Sequence, residues 1–375
     1  MRCSRNCKLY TFYGLAAFNL VVLLLTHVIH PIDNAKSISD ILRGKKLSSF
    51  HSNLKIYKPV LVTNISETSN VLTFDRFNLF PNKSNDYPIF PQFNLLLNPK
   101  DKCQNDDIVN KSSGIFLLVL VTSSRRNIQQ RKVVRKTWAS VESIEGKKII
   151  TLFMLGVKVG GGPSIMDPVM AESEKYGDII LGDFNDAYMN LTLKSIMGFK
   201  WTSMYCSSAK YVMKTDDDMF INLNYTVKYL AKLPENTKRF VMGHVISGSP
   251  IRNEKSKWYM SYELYPYNDY PPFASGTCYI MSNDVVLDTY VMSQRLRYLH
   301  LEDIFSALCW EKLGIVPRNH RGFKLYYVSY TYCHYTKLVS VHNVKINKMY
   351  DLWKKLNNDM ARLSRYYCLF NGWFF

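Results

Sequence analysis

Apolar residues fall along this chain in three different rhythms. The first is one solid block: residues 9–26 carry no charge, and the run continues through His27 to Ile29. About 20 apolar residues span a bilayer as a helix, so this block is long enough to cross a membrane. The second rhythm is nearly none. Residues 30–113 are rich in Asn, Ser, Asp, Lys and Pro, with apolar patches at 74–80 and 90–97. That composition predicts a stem, parts of which are apolar enough to pack on a neighbouring domain. The third begins at Gly114, where short apolar runs alternate with stretches of helical period. Runs at 115–121, 150–155, 179–181 and 211–213 predict strands, the first buried on both faces. Between them, 127–138, 168–176 and 191–208 predict helices. Strands alternating with helices imply an α/β fold with a largely parallel sheet. No internal repeat is present.

The strand at 211–213 leads into three consecutive acids, Asp216, Asp217 and Asp218. Burying such a cluster unpaired costs on the order of several kcal/mol or shifts pKa values. Ligands of parallel sheets bind beyond the strand C-termini, where these acids fall. A cation resolves the repulsion, and oxygen-only ligands point to a hard ion such as Mn²⁺ or Mg²⁺. Such an ion commonly bridges to phosphate, so a nucleotide-diphosphate substrate is expected. A solvated acidic turn is the other reading of an isolated triplet. An EF-hand is excluded by the missing Gly and closing Glu.

Charge and targeting signals refine the setting. The formal charge is +18, but Lys and Arg are scattered and no nucleic-acid motif occurs, so no nucleic-acid partner is expected. Arg2, Arg5 and Lys8 precede the apolar block, which favours a cytoplasmic N-terminus and a type II anchor. The residues after it, His30, Pro31 and Asp33, make no small-x-small cleavage site. Five Asn-x-Ser/Thr acceptors follow, at Asn64, Asn82, Asn110, Asn190 and Asn224, in keeping with a lumenal chain. Six cysteines (Cys103, Cys206, Cys278, Cys309, Cys333, Cys368) share that side, an even number suited to disulfides. No CxxC pair is present, which argues against structural zinc. The expected organisation is a cytoplasmic tail (1–8), a signal-anchor (9–29), a lumenal stem (30–113) and a catalytic domain (114–375).

Further groups suit a phosphate site. Arg131 and Arg135 lie four apart and share a helix face, from which guanidinium groups could bind diphosphate oxygens. A solvated basic face is the alternative. Asp183 to Lys194 brings carboxylates and a lysine after the third strand.

The order of these blocks resembles the β1,3-glycosyltransferase family, which includes β1,3-galactosyltransferases and β1,3-N-acetylglucosaminyltransferases. The resemblance rests on Arg131 to Trp138, Phe153 to Gly156, Glu172 through Lys194, and Lys214 to Asp218. Downstream it continues in Tyr270 to Gly276, Tyr279 to Ser282, Leu301 to Ile304 with Cys309, and Val341-His342. It covers about residues 114 to 368.

The resemblance implies a GT-A-like nucleotide-sugar-binding fold and an inverting hexosyltransferase. Galactose or N-acetylglucosamine would move from a UDP-sugar to a glycan acceptor hydroxyl in β1,3 linkage, the acceptor being a glycoprotein or glycolipid. It implies Mn²⁺ held by Asp217, Asp218 and His342, with His334 as the fallback ligand. Donor-binding residues would be Arg131, Arg135, Asp183, Lys194, Asp216 and Asp217. Asp303 would be the base, assisted by Glu302, with Tyr270 and Gly276 on the acceptor side. Without the resemblance, Glu302-Asp303 reads as an acidic pair at a helix N-terminus. The implied location is the Golgi membrane, single-pass type II, with a lumenal catalytic domain; a homo-oligomer is compatible with this. Two departures, Cys278 and Ala307 where the family commonly has Gly, suggest altered sugar or acceptor fit. They also motivate an alternative: a catalytically silent lumenal protein that binds a glycan or a partner enzyme.

Overall fold

A computed structural model of the protein describes residues 90–104, 114–158, 163–362 and 368. The expected tail, anchor, the 74–80 patch and the acceptors Asn64, Asn82 and Asn110 lie outside the described residues. Among the described residues, no helix is long and apolar enough to cross a membrane.

Strand β1 is Leu95–Leu97, β2 Ile115–Thr122, β3 Ser143–Ile144, β4 Lys147–Val157, β5 Ile179–Asn185 and β6 Tyr211–Asp216. Beyond them come β7 (Phe220–Ile221), β8 (Val241–Ile246), β9 (Phe273–Ser282), β10 (Arg318–Asn319), β11 (Phe323–Lys324) and β12 (Ser340–Val341). The main sheet runs β1-β5-β4-β2-β6-β9-β8-β10, with β3 paired to β4. Strands β5, β4, β2 and β6 are mutually parallel, as the alternating pattern predicts. Strand β9 runs antiparallel to both β6 and β8, and β1 antiparallel to β5.

Every residue of β2 is buried, and the period of two explains how. Leu118 and Leu120 enter one core with Leu152, Met154 and Val212. Leu117, Val119 and Val121 enter a second core with Phe153 and Met213. Helices cover both faces. On the second face lie α1 (Ile128–Lys136), α4 (Leu223–Leu230) and α8 (Ile346–Arg362), through Val134, Val227 and Leu352. On the first lie α3 (Leu191–Tyr205), α5 (Asn283–Ser293) and α6 (Glu302–Lys312), through Ile196, Val285 and Phe305. Helix α2 (Pro163–Tyr176) starts five residues before the predicted Pro168, which lies inside it; α7 is the short Tyr332–Tyr335.

Two expectations change. The domain does not begin at Gly114: Phe90 and Phe93 are buried in the first core, and Leu95 pairs with Gly182. A disulfide from Cys103 to Cys206 closes this segment onto the end of α3. The apolar patch at 90–97 therefore belongs to the domain, because its side chains complete a sheet edge. A second disulfide joins Cys333 and Cys368, but Cys278 and Cys309 are free and buried, so the even count does not mean full pairing.

Topology locates the binding crevice. In the parallel half, the order β5-β4-β2-β6 means that the connection after β2 and the connection after β6 leave in opposite directions. Ligands of open α/β sheets bind at such a switch point, outside the strand carboxyl ends. Ser123 follows β2 and Asp217 follows β6, and their side chains meet there at 2.6 Å.

Candidate active site

The three acids make three different sets of contacts: Asp216 is the last residue of β6, and Asp217 and Asp218 lie in the turn that follows it. Asp216 turns into a cavity of about 540 Å³ and accepts a hydrogen bond from Lys214 Nζ at 2.8 Å. Asp217 turns the other way and is only 9% exposed. Its Oδ2 accepts from Ser123 Oγ at 2.6 Å and Asn127 Nδ2 at 2.9 Å. Burial pushes the carboxyl pKa of both Asp216 and Asp217 up, against the opposing pull of these donors. Asp218 Oδ2 lies 3.3 Å from His342 Nε2. The small sheet β11-β12-β7 creates that contact: Val341 pairs with Phe220, which brings the next residue, His342, beside Asp218. His342 Nδ1 is fixed by the Leu325 carbonyl at 2.9 Å, while Asp218 Oδ1 is buried without a partner. The hydrogen bond to Asp218 raises the His342 pKa despite burial.

A second acidic pair faces the same cavity from the N-terminus of α6. Glu302 is buried and engaged: Tyr279 Oη donates to its Oε1 at 2.5 Å, and Lys214 Nζ lies 3.7 Å from Oε2. Lys214 also donates to the Gly276 carbonyl, so one ammonium ties the end of β6 to β9 and α6. Asp303 Oδ2 accepts from the Gly276 N–H at 3.2 Å and Oδ1 from the Ile304 N–H at 3.0 Å, and the carboxylate lines the cavity. Burial raises the pKa of both carboxyls, with Lys214 opposing at Glu302 and the Gly276 amide opposing at Asp303. The pair is thus divided: Glu302 is locked into the frame, and Asp303 has accepting capacity left for a ligand. Gly276 is required here, since a Cβ would sit 2.9 Å from Glu302 Oε2 and 3.4 Å from Asp303 Oδ2.

One cavity is therefore lined by Asp216, Glu302, Asp303 and His342, with Lys214 between Asp216 and Glu302. A family model described as Galactosyltransferase matches residues 129–321. "Beta-1,3-galactosyltransferase 1" of Mus musculus is 38% identical over 317 residues, covering 84% of this chain and 93% of that protein. This chain belongs to the galactosyltransferase family. "Beta-1,3-galactosyltransferase 5" of Homo sapiens is 35% identical over 290 residues, covering 76% of this chain and 91% of that protein. Membership makes the protein a glycosyltransferase, an enzyme that takes a nucleotide-sugar donor and a glycan acceptor.

Several residues expected at the donor in this galactosyltransferase-family chain sit behind the cavity rather than in it. Arg131 is fully buried and binds Glu172 through two hydrogen bonds of 2.8 and 2.6 Å. Arg135 binds Glu172 at 2.6 Å and Asp178 at 2.7 and 2.8 Å. Their guanidinium groups are spent on carboxylates of the chain itself, which corrects the expected diphosphate role. Burial raises the Glu172 pKa, but the hydrogen bonds from Arg131 and Arg135 outweigh it and hold the carboxyl below its ordinary value. Asp183 accepts from Asn94 N and Nδ2, both at 2.8 Å, and so clamps the 90–97 segment. Lys194 donates to Asp186 at 2.6 Å and to the Ser123 carbonyl at 2.5 Å. Arg131 Nη1 lies 3.1 Å from Ser123 Oγ. Ser123 is therefore gripped by Arg131 and Lys194, and it in turn orients Asp217.

The expected metal set is corrected in the same way. Asp217 faces Ser123 and Asn127, so it does not share a point with Asp218 and His342. Asp216 and His342 line the cavity, whereas His334 does not. Among the described residues, no cluster of three or more His, Cys, Asp or Glu side chains is arranged to hold a metal. Tyr270 and Gly276 line the cavity. Cys278 and Ala307 do not: each is buried in a core, and burial pushes the Cys278 thiol pKa up to about 12. Asn190 and Asn224 are half-buried, the first donating to the Asn185 carbonyl at 2.8 Å. Ser123, Asn127 and Trp258 are not singled out by any sequence pattern; for the two former, position after a buried parallel strand is the usable signal.

Proposed function

We propose that this chain transfers galactose or N-acetylglucosamine from a UDP-sugar to a glycan hydroxyl in β1,3 linkage, with inversion. A GT-A-like fold supports UDP binding at the β2–β6 switch point. The observation that carries the reading is the shared cavity: Asp216 and His342 line it together with Asp303. The names of the relatives support galactose as the first donor to test.

Asp218 and His342 fit a divalent cation such as Mn²⁺. Asp218 Oδ1 is a buried oxygen without a partner, and the neighbouring imidazole nitrogen is held by its second-ring hydrogen bond to Leu325. Oxygen and imidazole donors suit such ions, which complete their coordination with substrate phosphates. When bound, the ion offsets negative charge on the diphosphate leaving group.

The chain's own residues perform the rest. Asp303 accepts the proton of the acceptor hydroxyl as that oxygen bonds to the anomeric carbon and the bond to UDP breaks. A single displacement of this kind inverts the anomeric centre. Gly276 N–H holds the Asp303 carboxylate in place, and Glu302, fixed by Tyr279 and Lys214, keeps the helix start in register. General-base catalysis of this type contributes roughly 10²–10⁴-fold.

The setting we propose is the Golgi lumen, behind a type II anchor at 9–29. Incubating the full chain with a panel of UDP-sugars and glycan acceptors, with Mn²⁺ or with EDTA, tests the reading. Transfer from one donor, abolished by EDTA, is expected. Full activity in EDTA would remove the metal role, and absence of transfer from every donor would replace catalysis by a binding function.

A further inference from the structure

Three carboxylates of the cavity wall, Asp216, Glu302 and Asp303, are grouped around one ammonium, that of Lys214. Lys214 is only 4% exposed. It lies opposite Tyr279 across the antiparallel pair β6–β9, so the two side chains leave the sheet on the same face. Both end on Glu302: Tyr279 Oη donates to Oε1 at 2.5 Å, and Lys214 Nζ lies 3.7 Å from Oε2. Lys214 also holds Gly276 from the side that Asp303 does not. The Gly276 carbonyl accepts from Lys214 Nζ, and its N–H donates to Asp303 Oδ2. Both polar atoms of this glycine are therefore gripped, one by the ammonium and one by the carboxylate.

A lysine buried among acids is commonly a structural ion pair, one charge against one. Here the charges do not balance, because three carboxylates meet one buried ammonium. The other titratable groups nearby do not make up the difference. Lys257 is exposed, with Nζ 4.5 Å from the ring of Trp258, a 49% exposed side chain of the same wall. His342 is engaged by Asp218. Burial lowers the pKa of His300 and raises those of Tyr188, Tyr270 and Tyr279, so these four stay neutral. Carboxylates that share a buried site do not all ionise without a compensating charge. Burial raises the Asp303 pKa, and the Gly276 and Ile304 amides and the Lys214 ammonium oppose it. We propose that Lys214 is a positioning residue for Asp303: it fixes Gly276 against that carboxylate and supplies the positive charge that lets Glu302 and Asp303 sit side by side in ionised form. Its part in transfer rests on the reading of Asp303 as the base.

The test titrates the full chain, labelled with ¹³C at the aspartate side-chain carboxyls, by NMR; the resonance missing from Asp303→Asn is that of Asp303. In Lys214→Met its midpoint is expected to rise by about one pH unit, a tenfold fall in the ionisation constant, and the Gly276 amide to exchange about tenfold faster. Glu302→Gln removes the neighbouring negative charge and is expected to lower the midpoint. Damage to packing alone would move both variants the same way. An unmoved midpoint in Lys214→Met, or unchanged exchange at Gly276, overturns the proposal. Where Lys214→Met does not fold, the same rise is read between Glu302→Gln and the Glu302→Gln/Lys214→Met double variant, in which ammonium and carboxylate leave together. No rise there overturns it as well. Turnover is measured separately, and the acid limb of kcat should move up with the NMR midpoint. A midpoint that rises while the limb stays leaves the hold of Lys214 on Asp303 standing and removes Asp303 as the base.

Discussion

Gly276 and Asp303 are held together by a single amide: the Gly276 N–H donates to Asp303 Oδ2 at 3.2 Å, with no room for a side chain between them. Gly276→Ala would push a methyl group against Glu302 Oε2 and Asp303 Oδ2. A displacement of about 1 Å at a reacting group can cost about 10²-fold. Gly276→Ala is therefore expected to lower kcat by about that factor while UDP affinity, measured by calorimetry, is unchanged. A matching loss of UDP affinity would mean that Gly276 shapes the donor end instead.

Asp303→Asn keeps the shape and removes the proposed proton acceptor. Turnover should fall by roughly 10²–10⁴-fold with UDP binding intact. The pH profile gives an independent check. Burial raises the Asp303 pKa, so the carboxylate needed as base forms only above the ordinary aspartate range. Activity should rise with pH through that raised value, and the limb should be missing from the residual activity of Asp303→Asn. For stability the sign is opposite: a folded pKa above the unfolded one contributes stability below the unfolded value, lost as pH rises through the folded value.

The adjacent acids Asp217 and Asp218 should respond differently to the same substitution. Asp218→Asn removes a charge beside His342 and is expected to weaken Mn²⁺ dependence by an order of magnitude or more in metal titrations. Asp217→Asn disturbs the contacts with Ser123 and Asn127, and should lower the melting temperature more than it changes the Mn²⁺ midpoint. Equal effects on metal affinity would show that the different contacts of the two side chains do not separate their roles.

Glu172 lies between two arginines, and its removal leaves Arg131 buried without a carboxylate. Breaking one partner of a buried pair costs about 3–5 kcal/mol, so Glu172→Gln should lose stability on that scale in urea denaturation. Because the Glu172 pKa is held below its ordinary value, its contribution is present above the unfolded pKa and is lost as pH falls through the folded one. Stability that is unchanged in Glu172→Gln would return the arginines to the expected donor role.

The sequence by itself determined the α/β class, the order of the parallel strands' elements and the family, because period and ordered motifs are local properties of the chain. It also placed the acids at a strand C-terminus and the second pair at a helix start. Tertiary structure decided which groups share a cavity. Arg131 and Arg135 have the spacing of a phosphate clamp, but spacing cannot reveal that Glu172 and Asp178 fold back onto them. Asp216, Asp217 and Asp218 are indistinguishable in sequence; the turn after β6 sets Asp217 against Ser123, and the pairing of β12 with β7 brings His342 to Asp218. Trp258 became visible only as an exposed ring on the cavity wall, since exposure is set by what packs against a residue and not by its neighbours in the chain.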